Sequence, residues 1–197
     1  MAVAATALSM WACSSVKHVP DGKYLLDKVD IIADSPDRIS TEDLQYFLRQ
    51  TPNHKVLGFA RLQLATYSLS GSDSTRWYNR WLRRIGQAPV IYDSLLTATS
   101  ARQLRTAMIN RGYMDATVEV DTTLRGNKRI GVEYVIHTGH PHYIASVQYD
   151  IPDTAIRRLI FADSTRFGIE PGSIFDRKRL DDLRASITEN LRNNGYY

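Results

Sequence analysis

Apolar positions along the chain follow two periods. "ATVEVDTTL" puts Val118, Val120 and Thr122 on one face and Glu119, Asp121 and Thr123 on the other. After the turn "RGNK", "RIGVEYVIHTG" returns with Ile130, Val132, Tyr134 and Ile136 at period two. Such alternation marks strands with one buried face, here an antiparallel hairpin. "KYLLDKVDIIA" at 23–33 and "HYIASVQYDI" at 142–151 read as two further strands. Elsewhere the period is helical. Leu180, Leu183, Ile187 and Leu191 recur at intervals of three and four, which gathers them on one face. Asp176 is a natural N-cap, Phe175 is placed to pack on Leu180, and Gly195 suits the positive φ that closes a helix. Asp93, Leu96, Leu104, Met108 and Ile109, ended by Gly112, predict a second such helix around the poorer helix former "TATSARQ". Shorter helices are expected over "STEDLQYFLRQ", capped by Ser40 or Thr41, and over "DTAIRRLIF", capped by Asp153.

The two long helices are copies of one another. An offset of 83 carries Ile91-Tyr92-Asp93 onto Ile174-Phe175-Asp176, Leu104 onto Ile187, Met108 onto Leu191, and Gly112-Tyr113 onto Gly195-Tyr196. Val29 matches Val147 ahead of them. The repeating unit is therefore strand-helix-helix-strand-strand, and the expected class is α+β, a three-stranded mixed sheet on two helices. Asp93, Gly112, Tyr113, Asp176, Gly195 and Tyr196 are its structural corners. Each Tyr after Gly is expected to anchor the next strand by burying its ring. The second copy stops after its second helix, where a hairpin is due, and reads as a truncated unit.

Composition narrows the chemistry. Over 197 residues, 43% are hydrophobic and 23% charged, which argues against wholesale disorder. A net charge of +4 with interspersed signs does not call for an anionic partner, and without a groove-reading motif nucleic acid is not expected. One cysteine, Cys13, excludes an intramolecular disulfide, and the five histidines show no zinc spacing. No glycine-rich phosphate loop or nucleophile-base arrangement emerges, so no catalytic residue, metal or cofactor is expected.

Two segments stand apart from the repeat. "MAVAATALSMWACSS" opens with twelve uncharged residues, too few to span a bilayer, which takes roughly 20. It resembles a bacterial lipoprotein signal, with residues 1–12 removed, a lipid on Cys13 and a tether over 13–22. The other is an insertion at about 50–85. Val29 to Tyr92 spans 63 residues where Val147 to Phe175 spans 28, an excess of 35. Within it Trp77, Tyr78 and Trp81 alternate with Arg76, Arg80, Arg83 and Arg84. Three readings stay open for this helix: a cover over the first core, a protein contact, or a membrane-interface contact made through Trp77, Tyr78, Arg80, Trp81 and Arg84.

The tract from "RGYMDATVEV" through "GVEYVIHTGHPHYIASVQYDI" to "NLRNNGYY" resembles tandem POTRA domains of the BamA/TamA outer-membrane assembly superfamily. The opening "CSSVKHVPDGKYLLDKVDI" resembles its lipidated TamA-like (TamL) branch in Bacteroidota. The resemblance covers about 23–197, with a first POTRA-like domain at 23–139 and an incomplete second at 140–197. It implies non-catalytic periplasmic modules at the outer membrane that receive unfolded outer-membrane proteins or other envelope proteins, in a fragment lacking the β-barrel. The alternative is an envelope scaffold or spacer linking a lipoprotein to a partner complex or lipid-transfer system.

Overall fold

The computed structural model describes residues 16–35, 39–53, 62–71, 75–162 and 168–197. Residues 1–15, with the signal-like segment and Cys13, lie outside the described residues. The described elements, in order, are β1 (Leu25–Ala33), α1 (Thr41–Leu44) running into a 3-10 turn (Gln45–Phe47), α2 (Leu62–Leu69), α3 (Trp77–Ile85), α4 (Ser94–Asn110), β2 (Thr117–Leu124), β3 (Arg129–His137), α5 (Thr154–Ala162) and α6 (Arg177–Asn193). The chain forms two compact units, one of Met1–Gln103 with Val118–Val135 and one of Leu104–Thr117 with Ile136–Tyr197.

The class is α+β. One three-stranded sheet has the order β1-β3-β2. The Leu25 N–H donates to Lys128 O at 2.8 Å, so β1 and β3 start side by side and run parallel, while the hairpin makes β2 antiparallel. Its turn uses positive φ at Gly126 (62°) and Lys128 (51°). Along β3, Ile130, Val132, Tyr134 and Ile136 are all buried, as the alternation requires. Tyr134 lies under the first half of α4, its hydroxyl 3.5 Å from Thr97 O. Burial raises its pKa, an effect only partly offset by hydrogen bonding to Ser100 and Thr97.

The weak middle of α4 is stabilised locally. Thr97, Thr99 and Ser100 each turn their hydroxyl back to the carbonyl four residues earlier, at 2.8–2.9 Å. Those bonds satisfy the polar groups, so Thr97 and Ser100 can be buried. Ser100 Oγ also accepts the Arg49 N–H at 2.9 Å, tying down the chain after α1.

Three expectations need correction. The helix expected over 40–50 is short: Ser40 accepts the Asp43 N–H at 3.5 Å, and the helical stretch ends at Phe47. The strand expected over 142–151 reduces to a single bridge at Tyr143. β1 is held along its length by β3, whereas 145–151 pairs with no strand among the described residues. An isolated extended segment leaves its N–H and C=O groups to water and gains nothing from staying straight. Third, the tether expected over 13–22 is packed from Val16 onward. Val19 is buried with Leu25 and Leu64, and Val16 and Ile91 pack on this cluster.

Candidate functional site

The geometry common to both copies lies just ahead of each long helix. In the first, residues 90–92 run antiparallel to the start of β1. The Leu26 N–H donates to Val90 O and the Tyr92 N–H to Tyr24 O, both at 2.8 Å, around the bridge Leu25↔Ile91. In the second, the Ile144 N–H donates to Ser173 O and the Phe175 N–H to His142 O, both at 2.9 Å, around the bridge Tyr143↔Ile174. Every one of these positions obeys the offsets read from the sequence, 118 on the first strand and 83 on the second segment. Asp93 Oδ1 then accepts from Leu95 and Leu96, and Asp176 Oδ1 from Lys178 and Arg179. Both helices run 17 residues. Both end on a glycine in the left-handed region, Gly112 (φ 92°) and Gly195 (φ 86°). The Tyr113 N–H then bonds Met108 O, and the Tyr196 N–H bonds Leu191 O. The ring burial expected at both corners holds at Tyr113, which is 5% exposed, and not at Tyr196, which is 37% exposed.

In the first copy this short pairing leaves part of a sheet edge without a strand partner among the described residues. Leu26 and Tyr24 bond outward to 90–92, whereas Leu25 bonds inward to β3. Backbone direction alternates along a strand, so the N–H and C=O groups of Lys28, Asp30 and Ile32 also face outward. A groove of about 540 Å³ runs along this stretch, between the strand and Thr41, Gln45, Leu48, Thr51 and Pro52, with Glu133 at its side. Lys28 and Asp30 form an ion pair of 2.6 Å on its rim, partly exposed and therefore of small energetic weight.

Two side chains bound the open stretch, and sequence reasoning did not single them out. Asn53, buried to 2% exposure, donates to Ala88 O (2.7 Å) and accepts the Val90 N–H (3.0 Å). Gln50 donates to Ile91 O and accepts the Asp93 N–H at 3.1 Å. Each amide bonds one carbonyl and one N–H of the extended segment, as a neighbouring strand would. They hold 88–93 straight and stop it from sliding along β1. Their only trace in the sequence is that they fall in a stretch without apolar periodicity.

The aromatic helix lies in the same unit. α2 and α3 approach closely: a Cβ on Gly86 would lie 2.6 Å from Tyr67 N. Two polar residues of α3, Asn79 and Arg83, face inward. Buried Asn79 accepts the Gly71 N–H at 2.9 Å. Arg83 donates to Ser70 Oγ (3.2 Å) and Gly71 O (2.8 Å), with its guanidinium 5.9 Å from the Tyr67 ring centre. Trp77 (74% exposed), Trp81 (56%), Tyr78 and Ile85 face solvent. Arg80 and Arg84 are exposed beside them. The helix is thus no cover over the first core, because its apolar face points away from the protein.

The groups with displaced pKa values have structural causes, and none lines the groove. Asp21 is lowered by a hydrogen bond from Lys128 and by that residue's charge, Tyr134 is raised by burial, and Lys178 is raised by its hydrogen bond to Asp182. No cluster of three His, Cys, Asp or Glu side chains suited to a metal occurs among the described residues, and no helix among them is long and apolar enough to cross a membrane.

No family model matches the chain, and no curated protein matches it. Among solved structures it is similar to the crystal structure of Haemophilus influenzae BamA POTRA3-5, at 12% identity, over 91% of this chain and 90% of that one, with a TM-score of 0.29. The superposition is loose, and the fold assignment rests on the strand order and internal repeat described above.

Proposed function

We propose that this chain is the periplasmic receiving and docking part of an outer-membrane protein assembly or translocation factor, built from POTRA-like modules at 23–139 and 140–197, non-catalytic, and held at the membrane by a lipid on Cys13. The observation that carries this reading is the outer edge of β1, unpaired beyond Leu26 among the described residues and lying beside a groove. Lys28, Asp30 and Ile32 offer main-chain donors and acceptors there, in line with a segment already paired to the same strand. An unfolded outer-membrane protein, arriving as an extended amphipathic segment, would add as the next strand. Its backbone would supply most of the affinity, and alternate side chains would enter the groove. This mode tolerates many client sequences. The sequence tract from Val132 to Val147 and the strand-helix-helix-strand-strand order support the same reading.

The test is a panel of labelled extended peptides with alternating apolar residues, titrated against the chain and its Asp30→Pro variant. Proline removes an outward N–H without touching the pairing to β3, a substitution that edge strands accept. Loss of one or two main-chain bonds should weaken every peptide by roughly 10-fold, and N-methylation of alternate peptide amides should do the same. Binding that follows one side-chain sequence and ignores both changes would instead favour a scaffold with a single partner.

A further inference from the structure

α3 is amphipathic in the reverse sense from a core helix. Its polar arc, Asn79 and Arg83, is committed to the rest of its unit through hydrogen bonds. Trp77, Trp81 and Ile85 recur at i, i+4 and i+8, with Tyr78 beside them, as a continuous exposed apolar stripe. Arg80 and Arg84 flank this stripe, and their guanidinium groups make no hydrogen bond or ion pair with the described residues. Between Leu62 and Tyr92 the sequence has four arginines and one carboxylate, Asp73. Aromatic rings with arginines at their margin, in a stretch where arginines outnumber carboxylates four to one, match the boundary of a bilayer, where rings sit at headgroup depth and guanidinium groups meet phosphate. A protein partner would have to bring its own anionic rim and an apolar pocket for each ring.

The path of the chain points the same way. Lys17 donates to Ser68 O and Ser70 O at the C-terminal end of α2, at 3.4 and 3.5 Å, where a cation is favoured by the helix dipole. His18 stands edge-on to Tyr67 with ring centres 5.4 Å apart. The chain is therefore fastened to the α2–α3 hairpin from Val16 onward, and Cys13 is three residues upstream. Three residues reach at most about 11 Å when fully extended. An acyl chain on Cys13 would hold this hairpin at the membrane surface and would not let the protein float away on a long leash.

We infer that α3 is an interfacial membrane-docking helix that lays Trp77, Tyr78, Trp81 and Ile85 into an anionic phospholipid surface, with Arg80 and Arg84 on the headgroups. The inference concerns α3 alone and does not need the β1 edge to bind a polypeptide. Its test uses the full chain with Cys13→Ser, to remove lipidation, and Trp11→Phe, to leave Trp77 and Trp81 as the tryptophan reporters. Vesicles of phosphatidylcholine alone are compared with vesicles containing phosphatidylglycerol, by co-sedimentation and tryptophan emission. Anionic vesicles should sediment the protein and shift its emission to the blue, and neutral ones should do so far less. Arg80→Gln with Arg84→Gln changes only exposed side chains and should weaken partition by roughly 10- to 30-fold. Trp77→Ala with Trp81→Ala should reduce it to the background set by the apolar N-terminus. Equal binding to both vesicle types, or partition that both double variants leave intact, would overturn the inference. So would the absence of vesicle binding together with capture of a protein through the same tryptophans.

Discussion

α4 and α6 are the same helix in two surroundings. They share length, cap, closing glycine and the hydrogen bonds at both ends, yet Leu104 and Met108 are buried in α4, whereas α6 contains no buried residue. Ile187 and Leu191, the counterparts, are only partly covered. A hairpin follows α4 and its β3 places Tyr134 beside Thr97; the described residues contain no hairpin after α6. The comparison separates what local sequence specifies from what packing adds. Caps and helix ends form in both settings because their partners lie within a few residues. Burial differs because it depends on distant strands.

The short pairing ahead of each helix also differs in how it is held. In the second copy a third bond, from the Gly172 N–H to Ile144 O at 2.7 Å, extends the pairing. The matching position in the first copy is Pro89, which has no N–H to give. There the amides of Asn53 and Gln50 support the segment from its other side. The same corner is thus reached by main-chain bonding in one copy and by side-chain bonding in the other.

Paired substitutions at equivalent positions sharpen the contrast, read by chemical denaturation. The largest difference is expected in the apolar stripe. Leu104→Ala removes a fully buried side chain and should cost roughly 2–5 kcal/mol, whereas Ile187→Ala should cost under about 1 kcal/mol. Similar losses at both sites would mean that α6 is covered as well as α4. The closing glycines come next. Alanine at either must adopt a positive φ, at a cost of about 1–2 kcal/mol. At Gly112 the new Cβ would also lie 2.4 Å from Phe175 O, and at Gly195 it would meet nothing within 4 Å. Gly112→Ala should therefore exceed Gly195→Ala by roughly 1–3 kcal/mol. The smallest effect belongs to the caps. Asp93→Ala and Asp176→Ala each lose two bonds to the first turn, worth about 1 kcal/mol. In α6 the change should appear as lost helical circular dichroism more than as a shifted midpoint, because the helix has little packing to report it.

Much of this was legible in the sequence. The offset of 83, both aspartate caps, both Gly-Tyr ends, the hairpin and its place in one sheet with β1 follow from local chemistry and period. What was not legible depends on neighbours far along the chain. The strand over 142–151 has the right residues but no partner strand. Ser40 begins a helix that ends within two turns. The period of α3 showed that it is amphipathic, but which face would be inward depended on Ser70, Gly71 and Tyr67 accepting its polar side. Asn53 and Gln50 could not be found from pattern at all, since a buried amide serving as a strand neighbour has no periodic signature. Cys13 lies outside the described residues, and its lipid anchor remains part of the proposed function.

If both short pairings are one structural device used twice, four backbone amides should carry its signature in solution. Hydrogen exchange followed by NMR should show the Leu26 and Tyr92 amides slowed, and the Ile144 and Phe175 amides slowed as well, above their neighbours in 145–151. Free exchange at Ile144 and Phe175 alongside protection at Leu26 and Tyr92 would contradict the account, leaving a repeat in the letters with no counterpart in the fold.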